Sequence, residues 1–164
     1  MITTKTNILI LILLLIAQLT LVSCSNAVIE DAQPNIGVDD QYLNKQVIVR
    51  APQSFNSFQT NEAVVLEILS ISSNEIRFSK DYSLRIFKKT NNGWVEIKEL
   101  PIIRLPEDDI IFSPNSSAIE DLAVFPDLKD HSQNYHLRIY VIGDMKTEQG
   151  IEKVSAFTDI QLQP

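Results

Sequence analysis

The chain has 164 residues, with 14 basic against 21 acidic side chains, a net charge of −7 at neutral pH and a single cysteine. An anionic chain without a basic stripe is a poor partner for nucleic acid or acidic lipid headgroups through a general field. One thiol closes no intramolecular disulfide, and four glycines in all leave no glycine-rich phosphate loop.

The first seven residues, "MITTKTN", carry one positive side chain, Lys5, and the run "ILILILLLIAQLTLV" follows from Ile8 to Val22, broken only by Gln18 and Thr20. A charged start, an apolar middle and a small-residue exit is the plan of a cleaved secretory signal helix. At ~1.5 Å rise per residue the run reaches roughly 22 Å, short of the ~30 Å core of a bilayer. An uncleaved anchor helix is the competing reading. Leu21, Val22, Ser23 and Cys24 stand at the exit. They resemble the lipobox of bacterial lipoproteins, with Leu three positions before the cut, a small residue just before it and Cys after it. The resemblance implies cleavage between Ser23 and Cys24, diacylglycerol on the Cys24 thiol, and acylation of the new N-terminus. An ordinary thiol at this place explains less. At ~0.8 kcal/mol per buried methylene, two or three chains anchor a protein stably where one does not.

Removal of residues 1–23 leaves chain enough for one domain and too little for two. Residues 24–44 mix Asn, Gln, Asp, one Gly and one Pro without sustained periodicity, as a flexible tether would. Ser25 follows the cysteine, and in cells with two membranes the familiar sorting rule lets Ser at that place move to the outer one. The expected domain is residues 45–164.

Short segments of β character fill that domain. "KQVIVRAP" is a Val/Ile run ended by Pro52. "NEAVVLEILSIS" is apolar on both alternating faces, which suits the centre of a sheet. "SSNEIRF" holds a brief apolar pair, Ile76 and Phe78. "DYSLRIFKK" alternates Tyr82, Leu84 and Ile86 against Ser83, Arg85 and Phe87. Asn92-Gly93 then predicts a type I′ hairpin turn into "WVEIKEL". "PIIRLPEDD" offers a brief edge strand, and "IIFSPNSS" a strand entering a turn at Pro114 and Asn115. Residues 118–128 read as a strand with Ile119, Leu122 and Val124, although Ile119, Leu122, Ala123 and Pro126 also fit helical spacing. "NYHLRIYVIG" puts Tyr135, Leu137, Ile139 and Val141 on one face and His136 on the other. "EKVSAFTDIQLQP" closes the chain with Val154, Ala156 or Phe157, Ile160 and Leu162. Seven to nine short strands with turn signals between them, and no alternating helices, predict an all-β sandwich with Trp94 in its core.

The order of segments resembles a bacterial immunoglobulin-like domain family of exported lipoproteins and surface proteins. The likeness spans Asn61 to about Ile142: the "SSNEI" exit of a strand, "YSLRIFKKTNNGWVEI" as strand, hairpin, Gly and Trp, "FSPNSSAIEDLAVF" as a Pro-led turn before a strand, and "NYHLRIYV". Two positions depart from the pattern: Asn115 stands where Gly commonly follows the Pro, and no Gly precedes Tyr135. The resemblance implies an immunoglobulin-like β-sandwich and leaves function open.

Candidate chemistry is sparse. His131 and His136 are the only histidines, with Asp127 and Asp130 as the nearest additional metal ligands, but surface histidines are the simpler reading. Glu107, Asp108 and Asp109 could offer oxygens to Ca²⁺, yet they lack the spacing of an EF-hand and suit a solvated acidic loop. There is no Gly-x-Ser-x-Gly elbow, and Trp94 beside a turn could serve as a recognition platform instead of a core residue. The expected function is that of a membrane-anchored lipoprotein whose domain is a non-catalytic binding or structural module at the cell envelope. Its expected contacts are the membrane, through lipid on Cys24, and an envelope protein or glycan, with no nucleic acid and no cofactor. The alternatives are an envelope protease inhibitor that acts through loops at one end, and, behind it, an enzyme or a Ca²⁺-binding module.

Overall fold

The computed structural model describes residues 32–52, 57–98, 106–125, 128 and 130–164. The chain divides into two units, Met1–Ala32 and Gln33–Pro164, and everything below concerns the second. Ser23, Cys24 and Ser25 lie outside the described residues, as do Asp127 and residues 99–105, where the edge strand of "PIIRLPEDD" was expected.

Among the described residues ten strands form two sheets: β1 (Val47–Arg50), β2 (Ser57–Gln59), β3 (Val64–Ser70), β4 (Ile76–Phe78), β5 (Arg85–Thr90), β6 (Gly93–Ile97), β7 (Ile110–Phe112), β8 (Ile119–Val124), β9 (Tyr135–Thr147) and β10 (Gly150–Gln163). The small sheet runs β1-β3-β8, antiparallel throughout. The large sheet runs β2-β10-β9-β4-β7, with β5 beside β4 on the same flank of β9 and β6 outside β5. Alternation decides which side chains meet between the sheets. Val47 and Val49, then Val64, Leu66 and Ile68, then Leu122 and Val124 are buried from the small sheet. Tyr135, Leu137, Ile139, Val141 and Met145 on β9, with Val154, Ala156, Ile160 and Leu162 on β10, are buried from the large one. All belong to one apolar cluster, a sandwich-like core.

The expectation of seven to nine short strands is corrected in number and in length. β9 and β10 are 13 and 14 residues long and form one continuous hairpin. Gly143 looked like the end of β9. It lies inside the strand, because a Cβ there would stand 2.8 Å from the Phe78 ring, and only glycine admits that ring. Ile119–Val124 is strand and not helix: register with β3 buries Leu122 and Val124 opposite Leu66 and Val64. The hairpin after β5 is not type I′. Asn91 and Asn92 connect Thr90 to Gly93, and of these only Gly93 takes positive φ, at 108°.

β4 and β5 are one strand interrupted. Their registers against β9 differ by four residues, taken up by a loop in which Tyr82 and Ser83 both have positive φ. The Tyr82 carbonyl accepts from Ile142 N–H at 2.9 Å, and its ring is buried 5.6 Å from Phe78. That packing holds two non-glycine residues in a region that costs on the order of 1–3 kcal/mol each. At the other flank, a 3₁₀ turn at Asp40–Tyr42 is capped by Asp39, and Asn44 N–H donates to the Ser155 carbonyl while Asn44 Oδ1 accepts from Phe157 N–H. The last residues of the stretch read as a tether are therefore docked on β10.

Candidate functional site

Each sheet has an outer face turned away from the core, and the two faces differ. On the large sheet, register pairs Trp94 with Lys89 and His136 with Gln161, and the Trp94 and His136 rings meet at 5.3 Å to join them in one row. Glu96, Phe87, Arg138 and Asp159 form the next, and Arg85, Tyr140 and Phe157 follow. The residues of these rows cover one another. Arg138 lies 4.5 Å from the Trp94 ring centre and 4.3 Å from that of Phe157, a cation between two rings. Its Nε and Nη2 both donate to Asp159 at 2.7 Å. Arg85 makes the same paired contact with Glu96, at 2.7 and 3.0 Å. Tyr140 packs edge-on to Phe87 and against Phe157.

Charge follows from this packing. The hydrogen bond from Arg85 holds the Glu96 carboxyl below its ordinary range, and burial pushes the Tyr140 phenol up. Among the described residues Trp94 Nε1 is buried without a hydrogen-bond partner, and Tyr140 Oη is buried beside the Arg138 guanidinium without a well-formed hydrogen bond. Trp94 is half-buried here and is not part of the core, which corrects the expectation for it. Nor does its ring form an open platform, since Lys89, Arg138 and His136 surround it. Below this cluster the outer face continues as an ion-pair ladder in which Arg77 holds Asp109 and Lys153 holds Asp144.

The small sheet presents a different surface. Register places Ile48, Leu69 and Ile119 side by side across its three strands. Ile48 is 38% exposed, Ile119 50% and Ile71, just beyond the end of β3, 55%. The neighbouring row is Arg50, Glu67 and Asp121, in which Arg50 Nε donates to Glu67 at 2.7 Å. Asp121 and its neighbour Glu120 have no ion pair among the described residues.

The candidate chemical residues do not converge. His131 Nδ1 is 3.1 Å from the Thr60 carbonyl, and the Thr60 hydroxyl donates to the His131 carbonyl. His136 sits edge-on to Trp94, with Nε2 4.0 Å from Asp159. Asp130 is held by Ser132 and Gln133, whose hydrogen bonds keep its carboxyl below the ordinary range. Glu107 and Asp108 are exposed, and Asp109 is bound to Arg77. Among the described residues no three His, Cys, Asp or Glu side chains are grouped to hold a metal ion, and no helix is long and apolar enough to cross a membrane. A shallow depression bordered by Gln33, Asp40, Leu43 and Asn44 pairs no nucleophile with a base.

No protein-family model matches the chain, and no curated protein or solved structure is significantly similar to it.

Proposed function

We propose that this chain is an exported lipoprotein, cleaved before Cys24 and held to a membrane by acyl chains on that residue. Its folded part is an immunoglobulin-like β-sandwich that acts as a non-catalytic binding module at the cell envelope. The anchor rests on "LVSC", which places the sole cysteine at the exit of the Ile8–Val22 run. The immunoglobulin-like reading is supported by strand order. β1, β3 and β8 stand as the A, B and E strands of such a domain do, and β4–β5, β9 and β10 stand as C, F and G. The observation that carries the binding half is the aliphatic row Ile48, Leu69 and Ile119. It is exposed on one outer face, while the aromatic side chains of the opposite face are covered by their own neighbours.

The test is intact mass and membrane fractionation of the protein from its native host, beside a Cys24→Ala variant. A mass that fits cleavage before Cys24 plus acyl chains, with the variant released from the membrane, supports the anchor. An unmodified full-length chain that stays on the membrane after Cys24→Ala removes it.

A further inference from the structure

β8 ends the small sheet. Its inner flank pairs with β3 through six register positions, Leu69↔Ile119 to Val64↔Val124, and no strand among the described residues pairs with its outer flank. Among the described residues it is the longest strand that ends a sheet, since β1 has four residues, β2 and β7 three each, and β6 five. An unpaired edge is a row of N–H and C=O groups ready to take another strand, and proteins commonly blunt such edges with charge. In the four-stranded sheet of an immunoglobulin-like domain, a D strand occupies this flank of strand E.

The side chains of β8 state which strand would fit. On the outward face, Ile119 ends the exposed aliphatic row and Asp121 ends the row Arg50, Glu67. On the core side, Glu120 stands across from buried Ile68, followed by buried Leu122 and Val124. Glu120 and Asp121 are exposed neighbours that point to opposite faces of the edge. Both bear on the buried Tyr82 phenol, whose proton they help to retain after burial itself. Arg50, the only cation in the outward row, is taken by Glu67. An aliphatic strand without charge would leave two carboxylates uncompensated, and an acidic one would be repelled.

We infer that the free edge of β8 receives an extended segment of a partner protein as a fourth strand, with two adjacent basic residues opposite Glu120 and Asp121 and aliphatic residues opposite Ile119, Leu122 and Val124. Main-chain hydrogen bonds supply affinity in such an addition, and the alternating side chains supply selection. The basic pair selects this edge because its two side chains point to opposite faces of the added strand, one to each carboxylate. The inference deepens the binding reading and rests on it for its purpose, but the edge is independent of the lipid.

The probe is a blocked peptide with the core Val-Lys-Lys-Val-Thr-Val, and its reverse, added to the full-length chain in nonionic detergent. One of the two is expected to bind and to slow hydrogen exchange of the outward amides of Ile119–Val124. The twin with Glu in place of both Lys is expected not to bind. Glu120→Gln with Asp121→Asn should weaken binding about tenfold, the effect of two partly exposed ion pairs, and Ile119→Thr should weaken it without unfolding the chain. Equal binding of the Glu twin, binding that ignores these variants, or β8 amides already protected in the free chain would overturn the inference. Release from the membrane by Cys24→Ala is scored separately. Retention there with peptide binding intact would sink the anchor and leave the edge standing.

Discussion

The two outer faces of the sandwich solve the same problem in opposite ways. Both belong to sheets whose inner side is committed to the core, and both carry large side chains on the other side. On the large sheet the aromatic side chains are folded against each other, while Ile111 and Ile151 away from them stay exposed: Arg138 fills the space between Trp94 and Phe157, and Arg85 and Arg138 each hold a carboxylate with two hydrogen bonds. On the small sheet, Ile48, Leu69 and Ile119 stand in register with only one ion pair beside them. Surface composition alone would single out the aromatic face as the place of recognition. Packing reverses that choice, because rings already covered have little left to offer a partner.

The comparison is most strongly broken at Arg138. Arg138→Ala removes the cation between two rings and leaves Asp159 without its partner. Asp159 can partly rehydrate, so the loss is below that of a fully buried pair, at about 2 kcal/mol in chemical denaturation. A loss within 0.5 kcal/mol, the size of an ordinary surface change, would show that the closed face is a surface decoration. Acid titration probes the same face more gently. The Glu96 carboxyl is lowered from its ordinary value of 4.5, first by the hydrogen bond from Arg85. Its contribution is therefore fully present above pH 4.5 and is lost as pH falls through the lowered value. Stability measured from pH 6 down to pH 3 should fall less steeply in Glu96→Gln than in the parent, and identical slopes would remove the pair from the account.

Tyr140→Phe is expected to run the other way. The Tyr140 hydroxyl is buried beside the Arg138 guanidinium without a well-formed hydrogen bond, and deleting it should leave stability unchanged or raise it by up to about 1 kcal/mol. A loss above that would reveal a partner for the hydroxyl. The smallest effect belongs to the open face. Ile119→Thr on β8 should shift stability by less than about 0.5 kcal/mol, since Ile119 is half exposed and outside the core cluster. A larger loss would mean that Ile119 is covered.

Much of this was legible in the sequence where alternation is strict. Tyr135, Leu137, Ile139 and Val141 were assigned to the buried face and His136 to the other, and both stand so in β9. The apolar faces of "NEAVVLEILSIS" predict a central strand between Asn61 and Ser72, and β3 is the middle of the small sheet. The misreadings came where a long-range contact overrides a local rule. Gly143 ends no strand because Phe78, far away in sequence, needs the space. Tyr82 fits the alternation of "YSLRIF" yet lies in a positive-φ loop, anchored by Ile142 and the core. The sequence places Trp94 in the core, whereas its position depends on Arg138 and His136, two strands away. The open face was spelled out in Ile48, Leu69 and Ile119, but only register brings those three residues together.

The most direct test of the contrast between the faces is photo-crosslinking in membranes of the native host. One variant carries the crosslinker at Ile119 on the small sheet, the other at exposed Gln161 on the outer face of the large sheet. The account predicts discrete protein adducts from position 119, competed by the lysine peptide, and none from position 161. Adducts from position 161 alone, or equal adducts from both that the peptide does not compete, would contradict it.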